Sequence, residues 1–202
     1  MILEGAIPSK SGRLTLTPPS ESDDASVAAL RCHPGTRRFL RFFPESYSAS
    51  DARARRLARE ADTTLIDFHI HTLRPPEGES TFAGTTGIFN IDTVYGQTCE
   101  VGILVHPAYF RGGLATDALY TVLAYVFHER KFHRAEFQTG ADNVAMRGWL
   151  EKAGATLEGT KRSVWTDPTT GGYTDVCFYS ILEDEWKQSV RGVLEARMNR
   201  IS

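Results

Sequence analysis

Two adjacent glycines, Gly112 and Gly113, stand between a run that ends at Val105 and a run whose apolar residues repeat from Leu114. If a strand ends at Val105 and a helix starts near Gly113, the loop between them presents unpaired backbone N–H groups at a helix start, where the helix dipole adds positive potential. That is an anion site, suited to a pyrophosphate, and glycines let the backbone approach phosphates with no Cβ in the way. A nucleoside-triphosphate loop would need Gly-Lys-Ser/Thr, and no lysine follows Gly113. A dinucleotide fold would need G-x-G-x-x-G early in a strand–helix–strand unit, which is also absent. A Gly-Gly pair on its own favours a plain turn, because glycine is a common turn residue.

Other chemistry is thinner. His69 and His71 share one face of an alternating segment, but no third ligand accompanies them, so no metal is expected. No serine sits in a G-x-S-x-G elbow. Cys32, Cys99 and Cys177 are odd in number and form no C-x-x-C pair, which argues against a disulfide framework and a thiolate zinc site. Arg53, Arg55, Arg56 and Arg59 are the densest basic set, and their helical spacing reads as a solvated face.

A chain of 202 residues suits one sizeable domain, taken here as 1–202, and 41% hydrophobic residues can supply its core. A formal net charge of −2 gives no field favouring nucleic acid. The opening Met-Ile-Leu-Glu-Gly carries Glu4 and no long apolar run, so neither a signal peptide nor a membrane segment is expected, and a cytoplasmic location follows as the default.

The elements that must hold the glycine loop follow from periodicity. Leu14–Thr17 alternates and is stopped by Pro18-Pro19; a helix is expected from Ser22 through Cys32, a turn at His33-Pro34-Gly35, and a helix over Ser48–Ala61. Strands are expected at Ile66–Leu73, Thr81–Ile91 and Thr98–Val105, with a loop at Arg74–Gly78 and a turn at Asp92–Gln97. Leu114, Ala118, Leu119, Val122, Tyr125 and Val126 then mark a helix. Arg134–Thr139 reads as a strand, Asn143–Lys152 as a helix, Ala155–Val164 as a strand, Trp165–Thr174 as a polar loop and Asp175–Leu182 as the last strand. A final helix over 183–201 carries Trp186, Val190, Val193, Leu194, Met198 and Ile201 on one stripe, which packs on its own body or on a second copy. This order gives an α/β mixed sheet flanked by helices, with a parallel pairing after Val105.

The stretch Glu100-Val-Gly-Ile-Leu-Val-His-Pro107, continued by Tyr109 to Leu119, resembles the acetyl-CoA motif of GCN5-related N-acetyltransferases, in particular the RimJ/RimL branch. Matches continue in order: Leu14–Pro18 with Asp23-Asp24-Ala25; Asn143 to Gly154; Glu158-Gly159 with Arg162; Gly172-Tyr173-x-Asp175; Tyr179-Ser180-Ile-Leu182 with Glu185-Trp186. The family pattern Gln/Arg-x-x-Gly-x-Gly/Ala fits only with Phe110 in its first position and Arg111 beside it.

The resemblance implies a GNAT fold, a central mixed, mostly antiparallel sheet flanked by helices. It implies acetyl-CoA as co-substrate, with the acetyl group passing to a primary amine, either a small molecule or a peptide N-terminus. It implies that Phe110, Arg111, Gly112, Gly113, Leu114, Ala115 and Thr116 surround the pyrophosphate, that the backbone of Ile103, Leu104 and Val105 holds the pantetheine arm, with the amide of Leu104 or Val105 as oxyanion donor, and that Asn143 and Arg147 add to the cofactor side. Glu100 then stands as a general base or as a structural carboxylate, and Asn143 also suits a helix cap. The positions the resemblance gives to a proton donor hold Met146 and Leu150, which leaves Tyr173, Tyr179 and Cys177 as substitutes. The acceptor side would be formed by Arg37–Phe43, the loop near Tyr95 and the Trp165–Thr174 loop, whose aromatics suggest a partly apolar pocket. A non-catalytic acyl-CoA-binding module is the alternative, and either a monomer or a homodimer is compatible.

Overall fold

A computed structural model describes residues 5–73 and 80–200 of the chain; the expected loop at Arg74–Gly78 and the stripe residue Ile201 lie outside them. Eight strands form one sheet: β1 (Ile7–Pro8), β2 (Leu14–Thr17), β3 (Ile66–Leu73), β4 (Ser80–Asp92), β5 (Thr98–Val105), β6 (Arg134–Gly140), β7 (Thr156–Asp167) and β8 (Gly172–Leu182). Their order is β1-β2-β3-β4-β5-β6-β8-β7, and β5 with β6 is the parallel pair in an otherwise antiparallel ladder. The helices are α1 (Asp24–Cys32), α2 (Pro34–Arg37), α3 (Ala49–Glu60), α4 (Leu114–Ala124), α5 (Val144–Ala153), α6 (Glu183–Glu185) and α7 (Arg191–Asn199). No described helix is long and apolar enough to cross a membrane.

Strand alternation divides the sheet into two unlike faces. Ile66, Phe68, Ile70, Ile88, Val101, Ala135 and Phe137 are buried on one face and pack into the core with α4. Asp67, His69, Phe89, Glu100 and Gln138 fall on the other, whose cavity is roofed by α1 and α3. Helix α4 is buried on nearly all sides, from Leu114 to Leu123, because the sheet lies below it and α7 beside it. A π turn at Tyr125–Glu129 extends α4 and another at Trp186–Val190 joins α6 to α7; they meet where Trp186 stacks on Phe127, with ring centroids 5.6 Å apart.

Several boundaries differ from the sequence expectation for local reasons. The His33-Pro34-Gly35 turn opens a short helix, since His33 Nδ1 accepts the Gly35 N–H at 2.9 Å and Pro34 suits the first helical position. The polar loop Trp165–Thr174 is mostly strand, because β7 runs to Asp167 and β8 starts at Gly172, leaving a four-residue turn, 168–171. Strand β1 was too short for any period to show. The C-terminal stripe buries Trp186, Val190, Leu194 and Met198 against the body of the chain, whereas Val193 is 39% exposed and falls off it. Ser48 caps α3 through a reciprocal pair with Asp51.

Candidate active site

Strands β5 and β6 are paired only at Thr98–Arg134, Cys99–Ala135 and Glu100–Glu136, and then part. Beyond Glu100, β5 continues to Val105 with β4 as its only ladder partner among the described residues. His106 donates its N–H to Ala83 O on β4 at 2.8 Å. By strand alternation the N–H of Leu104 also points toward β4, while those of Ile103 and Val105 point into the gap beside β6. Of the two amides expected as oxyanion donors, that of Val105 faces the gap and that of Leu104 faces β4. Gly84 makes the β4–β5 contact possible, since a Cβ there would lie 2.1 Å from Leu104 O.

The gap leads to the start of α4. Gly113 precedes the helix at φ 78° and Arg111 at φ 63°, both left-handed, so the loop turns sharply before Leu114. The first helical bond runs from Asp117 N–H to Gly113 O, 3.1 Å, which leaves the N–H groups of Leu114, Ala115 and Thr116 without a backbone partner among the described residues. Phe110 is 54% exposed at the loop. The Thr116 hydroxyl accepts the Trp149 indole N–H at 3.0 Å, so its side chain anchors α5 and only its backbone faces outward as a donor. Asp117 is fully buried and paired with Arg13 and Ser11, which keeps its charge away from the loop. An open strand edge running into a helix start with free donors fits an extended chain ending in a pyrophosphate.

Helix α5 flanks this gap. Asn143 Oδ1 accepts the Met146 N–H at 3.1 Å, a helix cap. Arg147 is drawn inward: its Nη1 donates to Ala141 O at 2.8 Å and its Nε to the Tyr179 hydroxyl at 3.3 Å. Tyr179 is buried and donates its own proton to Glu151 Oε1 at 3.0 Å. Tyr173 is 64% exposed on the outer part of β8. Cys177 is buried beside Thr160, at 3.4 Å. None of these three lines the cavity that holds Glu100.

That cavity, about 600 Å³, lies between the polar face of the sheet and α1 and α3. Glu100 is 8% exposed; its Oε2 accepts from Asn90 Nδ2 and Gln138 Nε2, each at 2.9 Å, and its Oε1 has no protein partner among the described residues. Burial is the main force raising the Glu100 pKa; the Asn90 hydrogen bond opposes it and the Glu136 charge adds to it, with a net rise. Asn90 reaches inward from a bulge in β4 at φ 51°, a conformation asparagine tolerates and a re-aiming that bulges produce. Leu40, Phe42, Phe43 and Trp165 form an apolar wall, with Phe42 edge-on to Trp165 at 5.3 Å. Tyr95, 94% exposed in the β4–β5 turn, is not among the residues that line the cavity. His69 and His71 both meet Asp23, His69 Nδ1 at 2.7 Å and His71 Nε2 at 3.3 Å, and burial lowers the His69 pKa despite that carboxylate.

The arginines read as a solvated face divide: Arg53 and Arg55 are exposed, and Arg56 and Arg59 are half-buried. Arg56 holds Asp24 with two contacts of 2.9 Å, Arg59 holds Asp67, and Arg55, Arg56 and Arg59 all line the cavity; of the four, only Arg53 pairs at the exposed surface, with Glu21. Their carboxylate partners lie on other elements, which helical spacing alone cannot reveal.

A family model described as an acetyltransferase (GNAT) domain matches residues 13–156. The Bacillus subtilis protein named "Probable N-acetyltransferase YjcK" is 28% identical over 129 residues, spanning 61% of this chain and 71% of that protein. The structure of Mycobacterium smegmatis RimJ in complex with CoA-disulfide superposes with a TM-score of 0.77 at 21% identity, covering 96% of this chain and 93% of that one. Spermidine N-acetyltransferase from Vibrio cholerae, in complex with CoA and spermine, gives 0.76 at 18% identity, covering 87% of this chain and 99% of the other.

Proposed function

The chain belongs to the GNAT acetyltransferase family and is an N-acetyltransferase, and from that premise we propose that it moves an acetyl group from acetyl-CoA to a primary amine, with Glu100 as general base. One observation carries the base assignment. Glu100 has one carboxylate oxygen held by two amides and the other free, in a cavity beside the point where β5 and β6 part. An amine must lose a proton to attack, and reference values of ~8 to ~10.4 make a base useful near neutral pH.

When bound, acetyl-CoA supplies the acetyl group as an activated thioester. The free N–H groups of Leu114, Ala115 and Thr116, with Arg111 beside them, suit its pyrophosphate. The open edges of Ile103 and Val105 suit the pantetheine arm, and the Val105 N–H is the donor left for the carbonyl oxygen. Asn143 and Arg147 support this side mainly by capping and bracing α5. Glu100 Oε1 takes the amine proton, directly or through one water. In this reading neither tyrosine is needed to protonate the leaving sulfur: Tyr179 donates to Glu151 and Tyr173 does not line the Glu100 cavity. A thiol pKa of ~8.5 makes such a donor dispensable near neutral pH. The acceptor is a small amine or a peptide N-terminus.

The test is thiol release from acetyl-CoA over a panel of small amines and short peptides. Amine-dependent release above the background rate is expected. A rise in melting temperature with CoA but no release for any amine would leave a binding module in place of the enzyme.

A further inference from the structure

Four arginines reach the cavity under α1 and α3, and two of them are balanced: Arg56 by Asp24 and Arg59 by Asp67. Arg31 and Arg55 have no carboxylate partner among the described residues. Arg31 Nε is buried without a hydrogen-bond partner. The Arg31 guanidinium lies 4.0 Å from the Phe43 ring centroid and 5.2 Å from that of Tyr47, so two aromatic faces fix its plane. Arg55 and Arg59 are four residues apart on α3, a like-charge spacing that destabilises a helix. Burial first, with the Arg59 charge adding to it, presses the Arg31 guanidinium pKa below the usual range, though arginine stays charged. Glu100, the remaining acid of the cavity, is held at Oε2 by the neutral amides of Asn90 and Gln138 and makes no ion pair with either arginine among the described residues. With Glu100 ionised, the cavity still has one more guanidinium than carboxylates, and Arg31 and Arg55 are the two that no described carboxylate pairs directly.

We propose that the amine acceptor also carries a carboxylate or phosphate, which Arg31 and Arg55 bind while its amine faces Glu100. This rests on the acetyltransferase reading and narrows its substrate. A planar fork fixed by stacked rings suits a two-oxygen contact with either anion. The volume of about 600 Å³ suits a small molecule. A polyamine would bring further positive charge to the same wall and is disfavoured.

The experiment uses the full chain with acetyl-CoA and a matched series of primary amines, equal in length and ending in carboxylate, phosphonate, carboxamide or ammonium. The acid-ended amines are expected to exceed the carboxamide and ammonium ones at least ~10-fold in kcat/KM, and the better of the two identifies the anion. Arg55→Gln, at an exposed position on α3 where folding is not at stake, should cut the acid-ended kcat/KM by about 10- to 100-fold, the range for a hydrogen bond to a charged group. The carboxylate-to-carboxamide ratio should collapse toward one. Arg31→Lys, which keeps the charge and loses the fork, should fall between Arg55→Gln and wild type. Equal or faster turnover of carboxamide or ammonium amines would overturn the anion site and leave acetyl transfer standing. If CoA raises the melting temperature but no amine releases thiol, the acetyltransferase reading falls instead. Calorimetric titration of the carboxylate-ended amine into wild type and Arg55→Gln then decides the anion site, and absent or equal binding would overturn it.

Discussion

Gln138 Nε2 lies 2.9 Å from Glu100 Oε2, joining β6 to β5 two residues beyond their last paired row. Asn90 donates to the same oxygen from β4. The carboxylate is thus gripped from both neighbouring strands by donors that leave Oε1 free. That arrangement fixes direction as well as charge, which a solvated glutamate would lack.

Glu100→Gln should lower kcat by ~10²–10⁴, the usual range for a general base, while CoA still raises the melting temperature. Raising the pH should recover part of the loss, because more amine is neutral without help. Wild-type turnover in the variant at neutral pH would make Glu100 structural.

Gln138→Leu removes one bond that favours the charged carboxylate, so the Glu100 pKa should climb further above its ordinary value. A base works only when ionised. The acidic limb of the kcat/KM profile should therefore move to higher pH, with activity regained on the alkaline side. A uniform loss at every pH would point to disordered packing instead.

Stability gives an independent reading of the same carboxylate. Its folded pKa is raised, so its contribution to stability is full below the unfolded value near 4.3 and is lost as pH rises through the folded value. Glu100→Gln removes that loss. The variant should melt higher than wild type at neutral pH, and its advantage should shrink as the pH falls below the carboxylate range. A lower melting temperature at neutral pH would show that the two amide bonds outweigh the burial of the charge.

The strands and helices were legible because alternation and helical period run nearly unbroken from Ile66 to Leu182, and the glycine loop because nothing else in the chain pairs two glycines with a helix start. Glu100 was singled out by its place near the head of β5 and by the family resemblance. Its partners were not, since Asn90 and Gln138 look like solvent-facing polar positions until a bulge and a strand divergence turn them inward. Arg56 and Arg59 were hidden for a related reason: Asp24 lies 32 residues from Arg56, and helical spacing says nothing of what covers a face. The sequence also placed the loop near Tyr95 on the acceptor side, although aromatic character carries no direction and Tyr95 points to the surface, outside the cavity lining.

Gly113→Val tests the loop. At φ 78° a β-branched residue is strained, and left-handed geometry costs a side chain roughly 1–2 kcal/mol. The donors of Leu114, Ala115 and Thr116 are aimed by this turn, so the rise in melting temperature produced by CoA should vanish while the uncomplexed protein still melts cooperatively. An undiminished shift would remove the loop from the cofactor site.

Trp186 tests whether the C-terminal helix belongs to the body of the chain. It is 0% exposed, stacks on Phe127 and donates its indole N–H to His128 Nε2 at 3.0 Å, so it ties the π turn after α6 to the π turn after α4. Trp186→Ala removes the rings' contact and leaves a cavity beside a histidine without its donor, a change that costs ~3–5 kcal/mol in buried cores. Helix α4 carries the glycine loop on its first turn, so loosening its far end should also weaken CoA binding. Urea denaturation should therefore show a large fall in midpoint together with a weaker CoA-induced shift. A change of oligomeric state at unchanged stability would instead make this helix an interface element.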